Sequence, residues 1–306
     1  MATQQELRES ITNQIIQSLE KGVSPWKRPW SSDPCSGPPT NAVSGKPYTG
    51  VNPLVLNVVA ENRGYKSKFW ATYRQWEELG FQVIKRPDEI GRGSWGTTVV
   101  YCKAIRKSDD RHDDNDDSEK TFFMLRSFVV FNSEQATGDC IEKYRIGSSP
   151  VAATEIDERN DKAERVVEAT GADIRITTGD RACYSITGDF IQMPEREKFS
   201  TSDWYEAIFH ELTHWSEPRL NWDRKNPENT YALGELIAEL SACYLAGELG
   251  LPLDNSLDNH AAYLKTWLDN MKADSRFLFR ATAQASKASD FILSFSRVAE
   301  PEELLV

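Results

Sequence analysis

His210-Glu211-Leu212-Thr213-His214 sets two histidines four residues apart with a glutamate beside the first. On a helix, residues four apart share a face, so both imidazoles can reach one Zn2+ while Glu211 stands beside the ion's open position. Ala207, Ile208, Leu212 and Trp215 give the same segment an apolar face, so the helix is expected to be buried and its ligands rigidly held. A catalytic zinc takes a third protein ligand and keeps one position for water. The chain has only 4 histidines. His112 sits in an acidic run and His260 lies 46 residues beyond His214, outside the short spacings of His-ligated sites. Glu235, 21 residues after His214 in GELIAEL, is placed to come under the metal from a second, antiparallel helix. Glu239, one turn later, is placed to accept a hydrogen bond from the outer nitrogen of a ligand histidine and fix its tautomer. The reverse assignment of these two glutamates is the alternative.

Such a site implies metal-assisted hydrolysis, with Glu211 taking the proton of an acidified water as it attacks a carbonyl. A His, His, Glu set also accepts Mn2+ or Co2+. The strand expected over Asp189 to Met193 is placed to receive an extended peptide by strand addition. Tyr231, Tyr244, His260 and Tyr263 are the candidates for stabilising an oxyanion. The competing reading is a metal that only staples two helices.

A second chemistry is suggested nearer the amino terminus. Five of the 9 tryptophans fall before Lys107, interleaved with cations. Exposed aromatics among cations hold single-stranded nucleic acid, the bases stacking while the charges follow the backbone. Trp26, Lys27, Arg28 and Trp30 in PWKRPW are the first candidates, followed by Lys46 and Tyr48 in NAVSGKPYTGVN, with Lys68 and Arg74 in the same basic region. The net charge of −11 would by itself argue against a polyanion. It hides a split: residues 1–107 carry 15 Lys and Arg against 9 Asp and Glu, a net of +6, and the remainder carries 21 against 38, a net of −17. Asymmetry of this kind points to two units with different partners.

The elements that must position these residues follow from apolar spacing. Leu7, Ile11, Ile15, Ile16 and Leu19 mark a first helix ending near Gly22. Ser24 to Pro53 reads as irregular but ordered. Helices are expected at Pro53–Asn62 and Thr72–Leu79, and strands at Phe81–Ile84, Thr97–Ile105 and Thr121–Asn132, the last two flanking the acidic insert Ser108 to Glu119, read as a solvated loop. Gly138 to Pro150 reads as the boundary between two units with separate cores. Beyond it come a helix at Asp157–Thr170, strands at Asp173–Thr177, Ala182–Ile186 and Phe190–Met193, and helices at Thr201–Ser216, Thr230–Leu249, Leu257–Met271 and Ser275–Phe295. At 306 residues, 39% hydrophobic and 27% charged, the chain is large enough for two such units and is neither fibrous nor extensively disordered. No apolar run approaches the roughly 18 residues of a membrane span, and the start MATQQELRESITNQII lacks a signal-peptide core, so the protein is read as cytoplasmic, with no membrane partner. The 5 cysteines are widely spaced without a CxxC pair, which argues against a disulfide framework or a cysteine zinc site.

Taken together, LEKGVSPWKRPW, PTNAVSGKPYTGVN, FWATYRQWEELG, GDRACYSITGDFIQMP, FHELTHW, YALGELIAELSACYL and NHAAYLKTWLDNMKADSRFLFRATAQASKASDFIL resemble the ArdC-type antirestriction proteins of conjugative plasmids over nearly the whole chain. The resemblance implies an α+β fold: an α+β single-stranded DNA-binding domain over residues 1–147, then a mostly helical zincin-like metallopeptidase domain with a small β-sheet over 148–306. It further implies protection of incoming plasmid DNA from restriction during conjugation, with His210, His214 and Glu235 as ligands and Glu211 as catalytic acid/base. Where such proteins commonly carry two adjacent glutamates, this chain has Gly234-Glu235, which keeps the ligand and removes its neighbour. Single-stranded DNA is the expected partner, together with a host restriction-modification protein or another peptide substrate. The alternatives are a non-catalytic DNA- or protein-binding antirestriction factor with a structural metal, and a regulatory metallopeptidase whose amino-terminal domain recognises protein.

Overall fold

The computed structural model describes residues 3–26, 33–106, 121–147, 156–222, 226, 230–251 and 261–297. Lys27, Arg28 and Trp30, the acidic insert with His112, and His260 lie outside the described residues. The fold is α+β, as expected. Helix α1 (Gln4–Glu20) opens with a reciprocal cap in which Thr3 Oγ1 accepts from the Glu6 amide and the Glu6 carboxylate accepts from the Thr3 amide. Its Ile11, Ile15, Ile16 and Leu19 are buried, as their spacing requires. A largely irregular stretch holding β1 (Thr40–Asn41) leads to α2 (Asn52–Arg63), which Gly64 stops at φ 71.

Then come β2 (Phe69–Thr72), α3 (Tyr73–Glu78), β3 (Gln82–Val83), β4 (Thr97–Arg106), β5 (Thr121–Asn132) and β6 (Ala136–Thr137). The main sheet has the order β1-β2-β5-β4, with β1 and β2 parallel and the other pairs antiparallel. Asn52 at the start of α2 closes the outer edge of β4: its Nδ2 donates to the Val100 carbonyl and its Oδ1 accepts from the Val100 amide, both at 2.8 Å.

The second half comprises α4 (Ile156–Ala169), β7 (Asp173–Thr177), β8 (Cys183–Ser185), β9 (Phe190–Pro194), α5 (Thr201–Arg219), α6 (Tyr231–Leu249), α7 (Ala261–Ala273) and α8 (Arg276–Ser294). Its sheet has the order β7-β9-β8. This corrects the expectation for Asp189 to Met193: β9 is the central strand, paired with β7 in parallel and β8 antiparallel, so it has no edge left for a peptide. Among the described residues β8 pairs on one side only. The β8–β9 turn is tied to the end of α5, since Asp189, at φ 48, accepts from Arg219 Nη2 at 2.8 Å, and the Arg219 guanidinium lies 3.8 Å over the Trp215 ring.

The expected separation of cores is also corrected. The largest apolar cluster takes Ile15, Leu19, Trp26 and Leu54 from the first half and packs them with Ile208, Leu212, Leu236, Leu240 and Leu278 from the second. Polar contacts cross the same seam: Tyr244 OH donates to the Gly50 carbonyl at 2.9 Å and Thr12 Oγ1 to the Ser275 carbonyl at 3.1 Å.

Candidate metal centre

Helix α5 starts at a Ser200 cap that accepts from the Asp203 amide, and α6 at a Thr230 cap that accepts from the Leu233 amide. Both helices are buried over most of their surface, so neither can rotate its polar groups toward water. Their register brings His210, His214 and Glu235 together, with one ligand atom from each within 4.8 Å of the others. His210 Nε2 and His214 Nε2 are 3.2 Å apart. The Glu235 oxygens lie 3.5 Å from His210 Nε2 and 3.6 Å from His214 Nε2. Ligands about 2.0–2.1 Å from a tetrahedral ion stand about 3.3–3.4 Å from each other, so these separations, one imidazole facing each Glu235 oxygen, are close enough for one ion to reach all three residues. The donor set suits a divalent cation of borderline softness, and Glu211, one residue after His210, is buried beside it.

Electrostatics within the cradle are strongly coupled. Burial pushes the His210 pKa down, but the bond to Glu235 and the charges of Glu211 and Glu239 outweigh it and leave the imidazole above its ordinary value. Burial raises Glu235, and the bond to His210, the charges of His214 and His210 and the Tyr231 hydroxyl together hold it below the usual carboxylate range.

The carboxylate on the outer nitrogen of His214 is Glu217, not Glu239: Glu217 Oε1 lies 2.8 Å from His214 Nδ1 and is buried with it. With the proton on Nδ1, the Nε2 lone pair is left for a metal. Glu239 instead accepts from the indole Nε1 of Trp26 at 3.3 Å. Among the tyrosines proposed for an oxyanion, Tyr244 is corrected. Its hydroxyl is committed to Gly50, and burial drives its pKa up. Tyr231 and Tyr263 share a 3.1 Å hydroxyl contact at the mouth of the site, and Tyr231 also bonds to Glu235.

Residues 5–131 match the model of the N-terminal domain of anti-restriction factor ArdC, and residues 161–284 that of a zincin-like metallopeptidase. The chain is 33% identical over 299 residues to the protein y4eC of Sinorhizobium fredii, covering 95% of this chain and 92% of that one. It shares 34% identity and a TM-score of 0.73 with the metal-free crystal structure of antirestriction ArdC from plasmid R388, covering 95% of this chain and 98% of that one. The chain belongs to the ArdC antirestriction family. The Mn(II)-bound structure of the R388 protein matches ours with a TM-score of 0.71 at 34% identity, covering 96% and 99% of the two chains. A DNA primase TraC of Escherichia coli is 33% identical over 309 residues, but those residues make up 27% of its length. The ArdC-family chain thus spans about a quarter of that relative.

In the ArdC-type amino-terminal half, the residues expected to meet DNA part company. Trp26 is 2% exposed, packed edge-on at 6.1 Å against Trp267 and bonded to Glu239. An enclosed indole offers no face to a base, which corrects its assignment as a stacking residue. Lys68 is half-buried beside Cys35, Asp33 and Glu248, and burial pulls its pKa down. Lys46, Tyr48 and Arg74, by contrast, line a single groove with Val99 and Val130. Tyr48 is its floor, the hydroxyl accepting from Asn41 Nδ2 at 3.3 Å and donating to the Trp70 carbonyl at 3.4 Å. Among the described residues no helix is long and apolar enough to cross a membrane.

Proposed function

We propose that this protein binds single-stranded DNA through its amino-terminal half and acts as a metal-dependent peptidase through the other, protecting plasmid DNA from restriction as it enters a new host. The observation that carries the peptidase half is the convergence of His210, His214 and Glu235, one ligand atom from each within 4.8 Å of the others, with the buried carboxylate of Glu211 at their side. A divalent ion held there by His210, His214 and Glu235 would supply Lewis acidity and bring the pKa of a water toward neutrality. Zn2+ is the favoured occupant on the donor set, and the same three ligands also suit Mn2+, the ion bound in one structure of the R388 protein. Glu211 would accept the water's proton on a carboxylate oxygen and return it to the leaving amine. Glu217 holds the His214 ring in orientation, and Tyr231, whose hydroxyl meets Tyr263 and Glu235, is the candidate donor to the charge developing on the carbonyl oxygen. An extended peptide would add to an outer strand of this sheet, β7 or β8, since β9 is already paired on both sides. Relationship to the R388 protein supports the antirestriction role, and relationship to TraC supports a setting in plasmid transfer.

Glu211→Gln tests the reading. It removes the base without disturbing the three ligands, so metal content measured by mass spectrometry should stay at one ion per chain. Hydrolysis of an unfolded protein substrate should fall by at least a hundredfold. Undiminished antirestriction by this variant in a conjugation assay would show that catalysis plays no part in protection.

A further inference from the structure

The antiparallel register pairs Tyr101 with Arg126 and Val99 with Phe128. Since paired residues share a face and neighbours two apart repeat it, Val99, Tyr101, Arg126, Phe128 and Val130 all look the same way. Val99 and Val130 are buried against Leu56, Ala60 and Trp70, which makes the inner part of this face a rigid floor. Beyond it, the rings emerge into solvent. Tyr101 is 59% exposed and Phe128 47%, and Tyr73 at the first turn of α3 is 55% exposed on the opposite wall. All three line one groove of about 1010 Å³. Among the described residues, the exposed large aromatics number five, the other two being Tyr231 at the metal site and Phe295 beyond α8. Three of five in one groove is a concentration that packing does not require.

The cations are arranged around these rings. Lys46 and Arg74 line the same groove, and Arg126 projects beside Tyr101 from the hairpin. The one acidic side chain lining the groove among the described residues, Glu78, is neutralised by Arg74 at 2.9 Å. With Glu78 taken up by Arg74, Lys46 on one side and Arg126 beside Tyr101 leave this apolar, aromatic trough with an excess of positive charge, which suits a polyanion that carries flat, unpaired bases. A double helix hides its base faces, and an apolar peptide gains nothing from the flanking charge.

We infer that single-stranded DNA lies in this groove, its bases stacked on Tyr101, Phe128 and Tyr73 and its phosphates met by Lys46, Arg74 and Arg126. The inference rests on the reading of the protein as a single-stranded DNA binder and, Trp26 being enclosed, adds a stacking surface on the β4–β5 face.

The test uses the full chain and a fluorescein-labelled oligothymidylate of about 20 nucleotides, followed by anisotropy across a salt series. Tyr101→Ala and Phe128→Ala should each weaken binding by roughly ten- to a hundredfold, and Tyr101→Phe should bind almost as the parent does. Arg126→Ala and Lys46→Ala should each lower the slope of log K against log salt by about 0.7. Melting temperature and metal content of each variant report on folding. If the parent binds the oligonucleotide and the alanine variants bind equally well with unchanged slopes, the groove is not the site. If the parent itself fails to bind at low salt, the DNA reading falls with it. Variants that lose antirestriction while keeping full oligonucleotide affinity would show that the groove docks a protein, which also overturns the assignment.

Discussion

At the residue level, the cradle depends on side chains that spacing alone ranks unequally. His210, Glu211 and His214 are legible because a four-residue repeat on one helix is a local signal that needs no knowledge of the fold. Glu235 is legible because the apolar character of GELIAEL places it on a second buried helix. Glu217 is not, because a glutamate near a helix end reads as a solvated charge. Its three-residue offset from His214 is the signal that it lies on the same face. It is buried, and its bond to Nδ1 leaves Nε2 as the His214 nitrogen that faces His210 and Glu235. Glu217→Ala should therefore lower metal affinity roughly 10- to 100-fold, measured by competition with a fluorescent chelator. Glu217→Gln keeps an acceptor for the Nδ1 proton and should recover most of the loss. Equal losses in the two variants would mean that Glu217 acts through its charge instead. Trp26 shows the opposite limit: a tryptophan among cations is equally suited to stacking on a base or filling a core, and here the core has it.

At the level of elements, the helices are legible almost residue for residue because their apolar faces are periodic and their caps are local. Strand β2 is not: Phe69–Thr72 lies directly ahead of a helix without alternation, and its extended form is set by pairing with β5, some 60 residues away. The order β7-β9-β8 is equally non-local, which is why a strand close to the metal helix in sequence proves to be central and closed. Helix α6 carries a feature that propensity alone would reject. Gly234 sits in its first turns, where glycine costs about 0.5–1 kcal/mol relative to alanine. A Cβ there would meet only Glu217 Oε1, at 3.9 Å, an ordinary contact. Gly234→Ala should thus stabilise the protein by about 0.5–1 kcal/mol in urea denaturation, with metal content unchanged. Destabilisation would show that the α5–α6 approach is tighter around Glu217 than these distances imply.

At the level of the whole molecule, the charge split of +6 and −17 describes two surfaces and not two independent bodies. Helix α1, Trp26 and α2 bury their apolar side chains against α5, α6 and α8. The Trp26 indole also reaches Glu239, one turn of α6 beyond Glu235. Separating the halves would expose that shared core to water, at a cost of about 25 cal/mol for each Å2 of apolar surface uncovered. The full chain should accordingly unfold in a single calorimetric transition. A metal held by His210, His214 and Glu235 binds only the folded state, so at a free concentration 100 times its Kd it should add about 2.7 kcal/mol. At about 2–4 °C per kcal/mol for a chain of this size, the whole transition should rise by roughly 5–10 °C, the amino-terminal half included, although it contributes no ligand. Two transitions, with only one moved by metal, would mean that the seam through Trp26 opens before either half unfolds. The single shifted transition is the outcome that the packing requires, and it would place the groove beside β4 and β5 and the cradle of His210, His214 and Glu235 on one cooperative unit.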